Sequence, residues 1–245
     1  MSTAFAEPTP EAYDQAFEAL KAYDRGSARA TLAAIDAAAL IAMKDATARQ
    51  GVEARLAAAL ATAASPAAKE YVCAKLALIG SSSSVPALTG LLAAPATSHA
   101  ARNALQAMQC LDADKALRES LPNLSGLQKA GVITSLGMRR DAASVKALAR
   151  LLKDPDARVA AATAGALGEI GTAKAAAALA AFEAKAPATV RAVLDDACLV
   201  CAERLLAAGS AREARRLYQM LAKPSQPKHI RKAAQLGSLR APKPK

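Results

Sequence analysis

The chain repeats one short helical plan, and this periodicity constrains its fold more than any single motif. Three segments share an order of apolar residues, a glycine, a short polar break and a leucine-rich stretch. They are 75–92, 132–152 and 166–182, with 103–121 as a degenerate copy. Aligned on this plan, Ile79, Met108, Leu136 and Ile170 form one column at successive spacings of 29, 28 and 34 residues, and a second apolar column lies three residues earlier. Such a period is typical of solenoids built from helix pairs.

The composition favours helix along the whole chain. Hydrophobic residues make up 53% of the sequence, aromatic residues only 3%, and there is no Trp, so Ala, Leu, Val and Ile must form the core. Pro, Gly, Ser and Asp interrupt the helical periodicity often enough to predict fourteen helices. They are 10–23, 27–43, 45–63, 66–79, 85–93, 98–109, 112–120, 125–138, 142–152, 156–170, 173–184, 188–208, 210–222 and 227–239. We therefore predict an all-α protein, a right-handed α-solenoid of about six to seven helix pairs.

The predicted solenoid covers most of the chain. We expect it to span residues 10–240, between a flexible N-terminus (1–9) and a disordered tail (241–245). Within it, the sequence predicts three parts. They are an irregular N-terminal cap (10–64), the clearest repeats (65–187) and a basic C-terminal cap (188–240).

The stretch 154–171, DPDARVAAATAGALGEIG, is a helix built almost entirely from small residues. Small side chains let the axes of neighbouring helices approach closely, and alanine has the highest helix propensity. The residues expected to allow this approach are Ala162, Gly165, Ala166 and Gly168. Asp154 or Asp156 is expected to cap the helix, and Gly171 to end it.

Residues 147–179 resemble a HEAT repeat of the short type found in the phycobilisome lyase-like group. The resemblance rests on an apolar helix followed by D-P-D, a Val position and A-L-G-x-I-G. Longer phrases along residues 10–240 are similar to HEAT-repeat proteins of planctomycete-like bacteria. The resemblance implies a helical repeat fold. It also implies one alternative activity, a bilin lyase or isomerase acting on a chromophore-carrying protein, although fold alone does not carry activity.

Positive charge is concentrated towards the C-terminal end. The formal net charge is +11, and residues 204–245 hold 11 Lys or Arg against one acid, Glu213. A field of this sign favours acidic partners and salt-sensitive binding. We expect an acidic or extended protein partner. Nucleic acid is less favoured, because base stacking needs aromatic platforms and only two aromatic residues, Phe182 and Tyr218, lie near the basic end. A solvated terminal cap is the alternative interpretation.

Several basic or polar residues are candidates for partner binding. Those in the predicted helices 98–109 and 227–239 lie on helices that in HEAT arrays line the concave face, as the resemblance implies, and the pair in GMRRDAAS follows a helix end. The candidates are Arg102, Asn103, Arg139, Arg140, Lys228, Arg231 and Lys232. Ordinary surface charge is the alternative.

No pattern of catalytic, cofactor-binding or metal-binding residues stands out. Cys198 and Cys201 form a CxxC inside a predicted helix without a second CxxC or nearby His, which indicates a buried apolar pair. His99 and His229, the two histidines, begin separate helices and are expected to be surface or cap residues.

The chain lacks the phosphate-loop, nucleophile-elbow and dinucleotide motifs. We therefore predict a non-enzymatic interaction scaffold, a monomer outside its complex. The alternatives are the bilin activity and salt-dependent nucleic-acid binding.

No apolar run long enough to span a membrane appears, and the first residues lack the pattern of an export signal. We expect a cytoplasmic protein, and a periplasmic one if a signal peptide precedes the first residue.

Overall fold

The structure, a computed structural model, describes residues 7–241 and contains no strand within that range. Its fourteen α-helices there are α1 Pro10–Lys21, α2 Ala33–Ala42, α3 Ala46–Thr62, α4 Pro66–Ile79, α5 Val85–Thr89, α6 Ser98–Ala107, α7 Leu111–Ser120, α8 Gly126–Met138, α9 Val145–Leu151, α10 Ala157–Ile170, α11 Ala173–Glu183, α12 Ala188–Ala207, α13 Ala211–Leu221 and α14 Lys228–Arg240. The all-helical prediction and all fourteen helices are confirmed. The flexible N-terminus and the tail fall largely on residues 1–6 and 242–245, which lie outside the described residues.

Three helices are shorter than predicted by at least four residues. Short 3₁₀ turns at Arg29–Leu32 and Ala142–Ser144 replace the first residues of two of them. The third, α5, ends at Thr89, where Gly90 follows. The periodicity located these helices, but it carried no signal for the tighter turns at their ends.

The chain forms two compact units, residues 1–123 and 124–245. In the first unit, α2, α3 and α4 pack in succession, α4 packs on α6, and α5 packs on α7. In the second unit, α8, α10 and α12 form one layer of neighbouring helices, and α9, α11 and α13 pack against that layer. The last helix, α14, packs mainly on α13 and less on α12.

The residues aligned by the repeat pattern form the cores of these units. All eight of them are buried. They are Leu76, Ile79, Leu105, Met108, Ile133, Leu136, Leu167 and Ile170. The sequence pattern therefore identified the buried face of each repeat correctly.

The contacts between helices correct the alignment of two repeats. A Cβ added at Gly137 in α8 would lie 2.6 Å from Ala166 Cα, and one added at Gly168 in α10 would lie 2.7 Å from the Ala197 carbonyl oxygen. The two contacts are equivalent and 31 residues apart, so Leu136 corresponds to Leu167 and not to Ile170. Leu167 and Ile170 are both apolar and lie one helical turn apart, so the sequence pattern could not show which of them corresponds to Leu136.

The alanine-rich helix α10 has the ends that its sequence predicts. Asp156 is its N-cap, accepting a hydrogen bond of 2.9 Å from the backbone N–H of Arg158, and Asp154 accepts one of 3.0 Å from the N–H of Asp156. Gly171 ends the helix in the left-handed conformation, with φ +62°. The prediction for Gly165 was wrong, because a Cβ added there would meet nothing within 4 Å. A side chain at this position would therefore point into open space.

Candidate interaction surface

The first two turns of α14 carry three of the predicted cations. Lys228 and Lys232 are exposed, and Arg231 donates a hydrogen bond of 3.3 Å to the Pro224 carbonyl. No acidic residue lies in the first turn of this helix. Cations at the positive end of a helix dipole oppose helix formation, so these charges do not stabilise α14.

The basic excess of the second unit is only partly neutralised within the protein. Arg204 pairs with Glu169, and Arg240 pairs with Glu203. Five further cations between residues 204 and 241 are exposed and form no ion pair with any residue the structure describes. They are Arg212, Arg216, Lys223, Lys228 and Lys232. These side chains leave a positive surface on α13, α14 and the loop between them.

Arg140 lies in a backbone conformation that favours glycine. Its φ is +53°, and it ends α8 in a Schellman motif, with the N–H of Asp141 bonded to the Leu136 carbonyl at 3.0 Å. Gly209 ends α12 in the same motif, with φ +80°. An exposed arginine therefore occupies a strained position beside Arg139.

Arg102 and Asn103 lie in the first unit, on α6, next to His99. Nη2 of Arg102 is 2.7 Å from Nδ1 of His99, and Nδ2 of Asn103 is 3.1 Å from Nε2 of the same ring. Partial burial lowers the pKa of the Arg102 guanidinium from its ordinary value.

The structure groups the seven candidate residues in three places. Lys228, Arg231 and Lys232 lie on one helix, Arg139 and Arg140 at one turn, and Arg102 and Asn103 on a helix of the other unit. A common binding ridge for all seven stays a prediction.

A groove between α12 and α14, which the sequence analysis missed, lies next to the cations of α14. Its volume is about 720 Å³. Its walls are mostly apolar and come from both helices. They comprise Leu199, Val200, Glu203, Arg204, Ala207, Ala233, Leu236 and Arg240. The helical periodicity predicts the apolar residues of both helices, but it gives no sign that α14 leaves part of α12 uncovered.

The CxxC motif is a buried part of α12, as predicted. Cys198 and Cys201 are both fully buried. Burial raises the pKa of Cys201 to about 12 and that of Cys198 well above its ordinary value. Both thiols are therefore neutral near pH 7, and the thiolate that redox or metal chemistry needs is disfavoured. Within residues 7–241, no group of three or more His, Cys, Asp or Glu side chains is arranged to hold a metal ion.

Asp195 is a buried carboxyl group in α12. Its exposed fraction is 1%, and neither carboxylate oxygen accepts a hydrogen bond at normal distance from a residue that the structure describes. The nearby Arg191 bonds instead to Glu183 and to the carbonyls of Glu183 and Ala186. Burial raises the pKa of Asp195, with the Glu183 charge acting in the same direction and Arg191 opposing it.

The sequence and the structure of the chain are similar to those of known helical repeat proteins. Residues 125–197 match a family model of HEAT repeats. The structure also resembles an archaeal HEAT-like repeat protein from Thermococcus onnurineus NA1, at 14% identity, with 96% of this chain and 98% of that one covered and a TM-score of 0.53. The chain is a helical repeat protein. This repeat protein matches no curated protein sequence.

Two other solved structures show weaker likeness to the repeat protein. An engineered protein is 20% identical, with 92% of this chain and 67% of that one covered and a TM-score of 0.45. Human deoxyhypusine hydroxylase is 15% identical, with 94% and 96% covered and a TM-score of 0.39. No helix among residues 7–241 is long and apolar enough to cross a membrane.

Proposed function

We propose that this repeat protein is a non-enzymatic interaction scaffold whose basic C-terminal helices hold an acidic, extended protein partner. The observation that carries the proposal is the set of exposed cations on α13, α14 and their loop that have no ion pair within the described residues. An ordinary solvated cap would gain stability by placing acids at the start of α14, whereas this helix carries three cations there. Such a surface is complementary to a chain of carboxylates.

The aromatic residues of the second unit favour a protein partner over nucleic acid. Phe182 is 7% exposed and Tyr218 is fully buried. Neither ring is available as a stacking platform, and stacking supplies much of the affinity for single strands.

The strained turn at Arg140 supports the same proposal. Residues that hold an unfavourable backbone conformation occur often at binding sites. Arg139 and Arg140 would add two cations to the surface that meets the partner.

The proposal is tested by capturing partners from lysate with and without nuclease treatment. The test variant reverses Arg212, Arg216, Lys228 and Lys232 to Glu, and a control of equal net charge reverses four exposed cations outside the candidate surface. The control positions are Arg25, Lys44, Lys115 and Lys174. We expect an acidic protein that survives nuclease treatment, is retained by the control and is lost from the test variant. Equal retention by both variants contradicts the proposal, and so does a capture that disappears with nuclease.

A further inference from the structure

The groove between α12 and α14 arises from the way small residues pack. Between α10 and α12, Gly168 lies directly against the backbone of Ala197, which brings those two helices together. In α14, Gly237 instead lies against the ring of Tyr218 in α13. This contact draws α14 towards α13 and leaves an apolar strip of α12 uncovered.

Polar contacts hold α14 in this position. The hydroxyl of Tyr218 donates a hydrogen bond of 2.7 Å to Oε1 of Glu203 in α12, and Arg240 pairs with the same carboxylate. Arg215 of α13 also bonds to the carbonyl of Ala241, directly after α14. The Tyr218 bond fixes α13 to α12, and the two arginine contacts fix α14 to α12 and to α13, so the groove is a formed feature of the unit.

The walls of the groove suit apolar side chains of a partner. Leu199, Val200 and Ala207 line one side, and Ala233 and Leu236 line the other. Leu236 is 54% exposed, so covering it would remove apolar surface from water. The volume lies within the range of about 300–1,000 Å³ that is usual for binding pockets.

The charges around the groove are complementary to carboxylates. Arg204 and Arg240 line the groove but are paired with Glu169 and Glu203, and Glu203 lines it too, so the lysines of α14 carry the complementary charge. On α14, Lys232 lies one turn before Leu236, and Lys228 lies one turn earlier still. Residues four apart share a helix face, so a row of two lysines leads to the apolar wall.

The length of the groove matches a short helix. The α12 wall runs from Leu199 to Ala207, which is about 12 Å at the rise of an α-helix. An amphipathic helix presents anchors at i, i+4 and i+7 over about 10 Å. Two or three Leu-sized side chains on one helix face would therefore fit along the groove.

We infer that the α12–α14 groove binds an amphipathic helix of an acidic protein, with aliphatic anchors between Val200 and Leu236 and acidic residues towards Lys228 and Lys232. The inference rests on the proposed function and assigns the part of the surface that recognises the partner. The remaining cations attract the partner, and the groove selects a helix with an apolar face.

The test uses three fluorescent synthetic peptides of equal length and the full chain. The first peptide carries Leu at i, i+4 and i+7 and Glu on the opposite face. The second has the same composition in scrambled order, and the third has Lys in place of Glu. Binding is measured by fluorescence anisotropy to the wild type, Leu236→Gln and Leu239→Gln. Leu239 is 83% exposed on the same helix and lies outside the groove lining, so the two substitutions are matched in chemistry.

We expect the first peptide to bind wild type and to bind Leu236→Gln about tenfold more weakly, the loss of one buried aliphatic anchor. Leu239→Gln should keep the wild-type affinity, and the scrambled and Lys peptides should bind at least tenfold more weakly than the first. Unchanged helical content by circular dichroism would show that both variants fold.

Equal binding to wild type and Leu236→Gln, or no binding to either, overturns the groove assignment. Self-association of the wild type that Leu236→Gln abolishes, without competition by the first peptide, also overturns it, because a second copy would then fill the groove. If lysate capture still depends on the cations while the peptides fail, the scaffold proposal stands and the groove inference falls. If reversing the cations does not change lysate capture while the peptide result is as expected, the groove inference stands and the scaffold proposal falls.

Discussion

Two residues in the second unit end helices with the same backbone geometry but different chemistry. Arg140 and Gly209 both adopt positive φ at the end of a Schellman motif. A side chain in this conformation costs about 1–2 kcal/mol, which glycine avoids. The sequence GMRRDAAS shows a helix end with two cations, but the turn conformation of Arg140 could not be read from it, because glycine is the residue that marks such turns.

Arg140→Gly is expected to stabilise the protein by about 1 kcal/mol, because it removes the strain of the left-handed conformation. The free energy of unfolding, measured by urea denaturation, checks this. Gly209→Ala is the matched control and should destabilise the protein by about the same amount. Loss of stability in Arg140→Gly would show that contacts of the arginine outweigh the strain.

Asp195 should make stability depend on pH. Because burial raises its pKa in the folded state, the folded protein binds this proton more tightly than the unfolded chain does. Stability therefore falls as pH rises through the interval between the unfolded and the folded pKa, and the loss persists above that interval.

Asp195→Asn removes this titration and should be more stable than wild type at pH 7, with the difference disappearing below the ordinary carboxyl pKa of 3.8. Thermal unfolding across pH measures the effect. Asp196→Asn, a substitution at the exposed neighbour, should show little change at either pH. A variant less stable than wild type at pH 7 would mean that the carboxylate is stabilised in its charged form.

At the scale of elements, close packing of small residues sets the spacing of α8, α10 and α12. The sequence predicted every helix and both ends of α10, because periodicity and capping are local signals. It did not predict the register of α8 against α10, nor which glycine of α10 faces a neighbour. Gly165 and Gly168 lie three residues apart in a helix rich in small residues, so the composition does not mark the packed side.

Two glycine substitutions in these helices should act in opposite directions. Gly137→Ala places a Cβ against Ala166 and should destabilise the protein by about 1–3 kcal/mol through overpacking. Gly165→Ala meets open space and should stabilise it by about 0.5–1 kcal/mol through helix propensity. Chemical denaturation of both variants checks the pair. Destabilisation of similar size in both would contradict the assigned packing faces.

At the scale of the whole molecule, the charge distribution is the feature most directly related to function. The sequence showed the basic C-terminal end, but not which cations are engaged within the protein. The structure assigns Arg204, Arg240 and Arg215 to internal contacts and leaves the lysines of α14 exposed. The groove was not predictable, since it depends on α14 packing against α13 through Gly237 rather than closely against α12.

The dependence of partner affinity on salt tests the scaffold account most directly. The captured acidic protein is titrated with wild type and with the variant reversed at Arg212, Arg216, Lys228 and Lys232, from about 50 to about 300 mM salt. The account predicts that wild-type affinity falls steeply with salt, and that the variant binds weakly with a much flatter dependence. Equal affinity and equal salt dependence for the two proteins would contradict it.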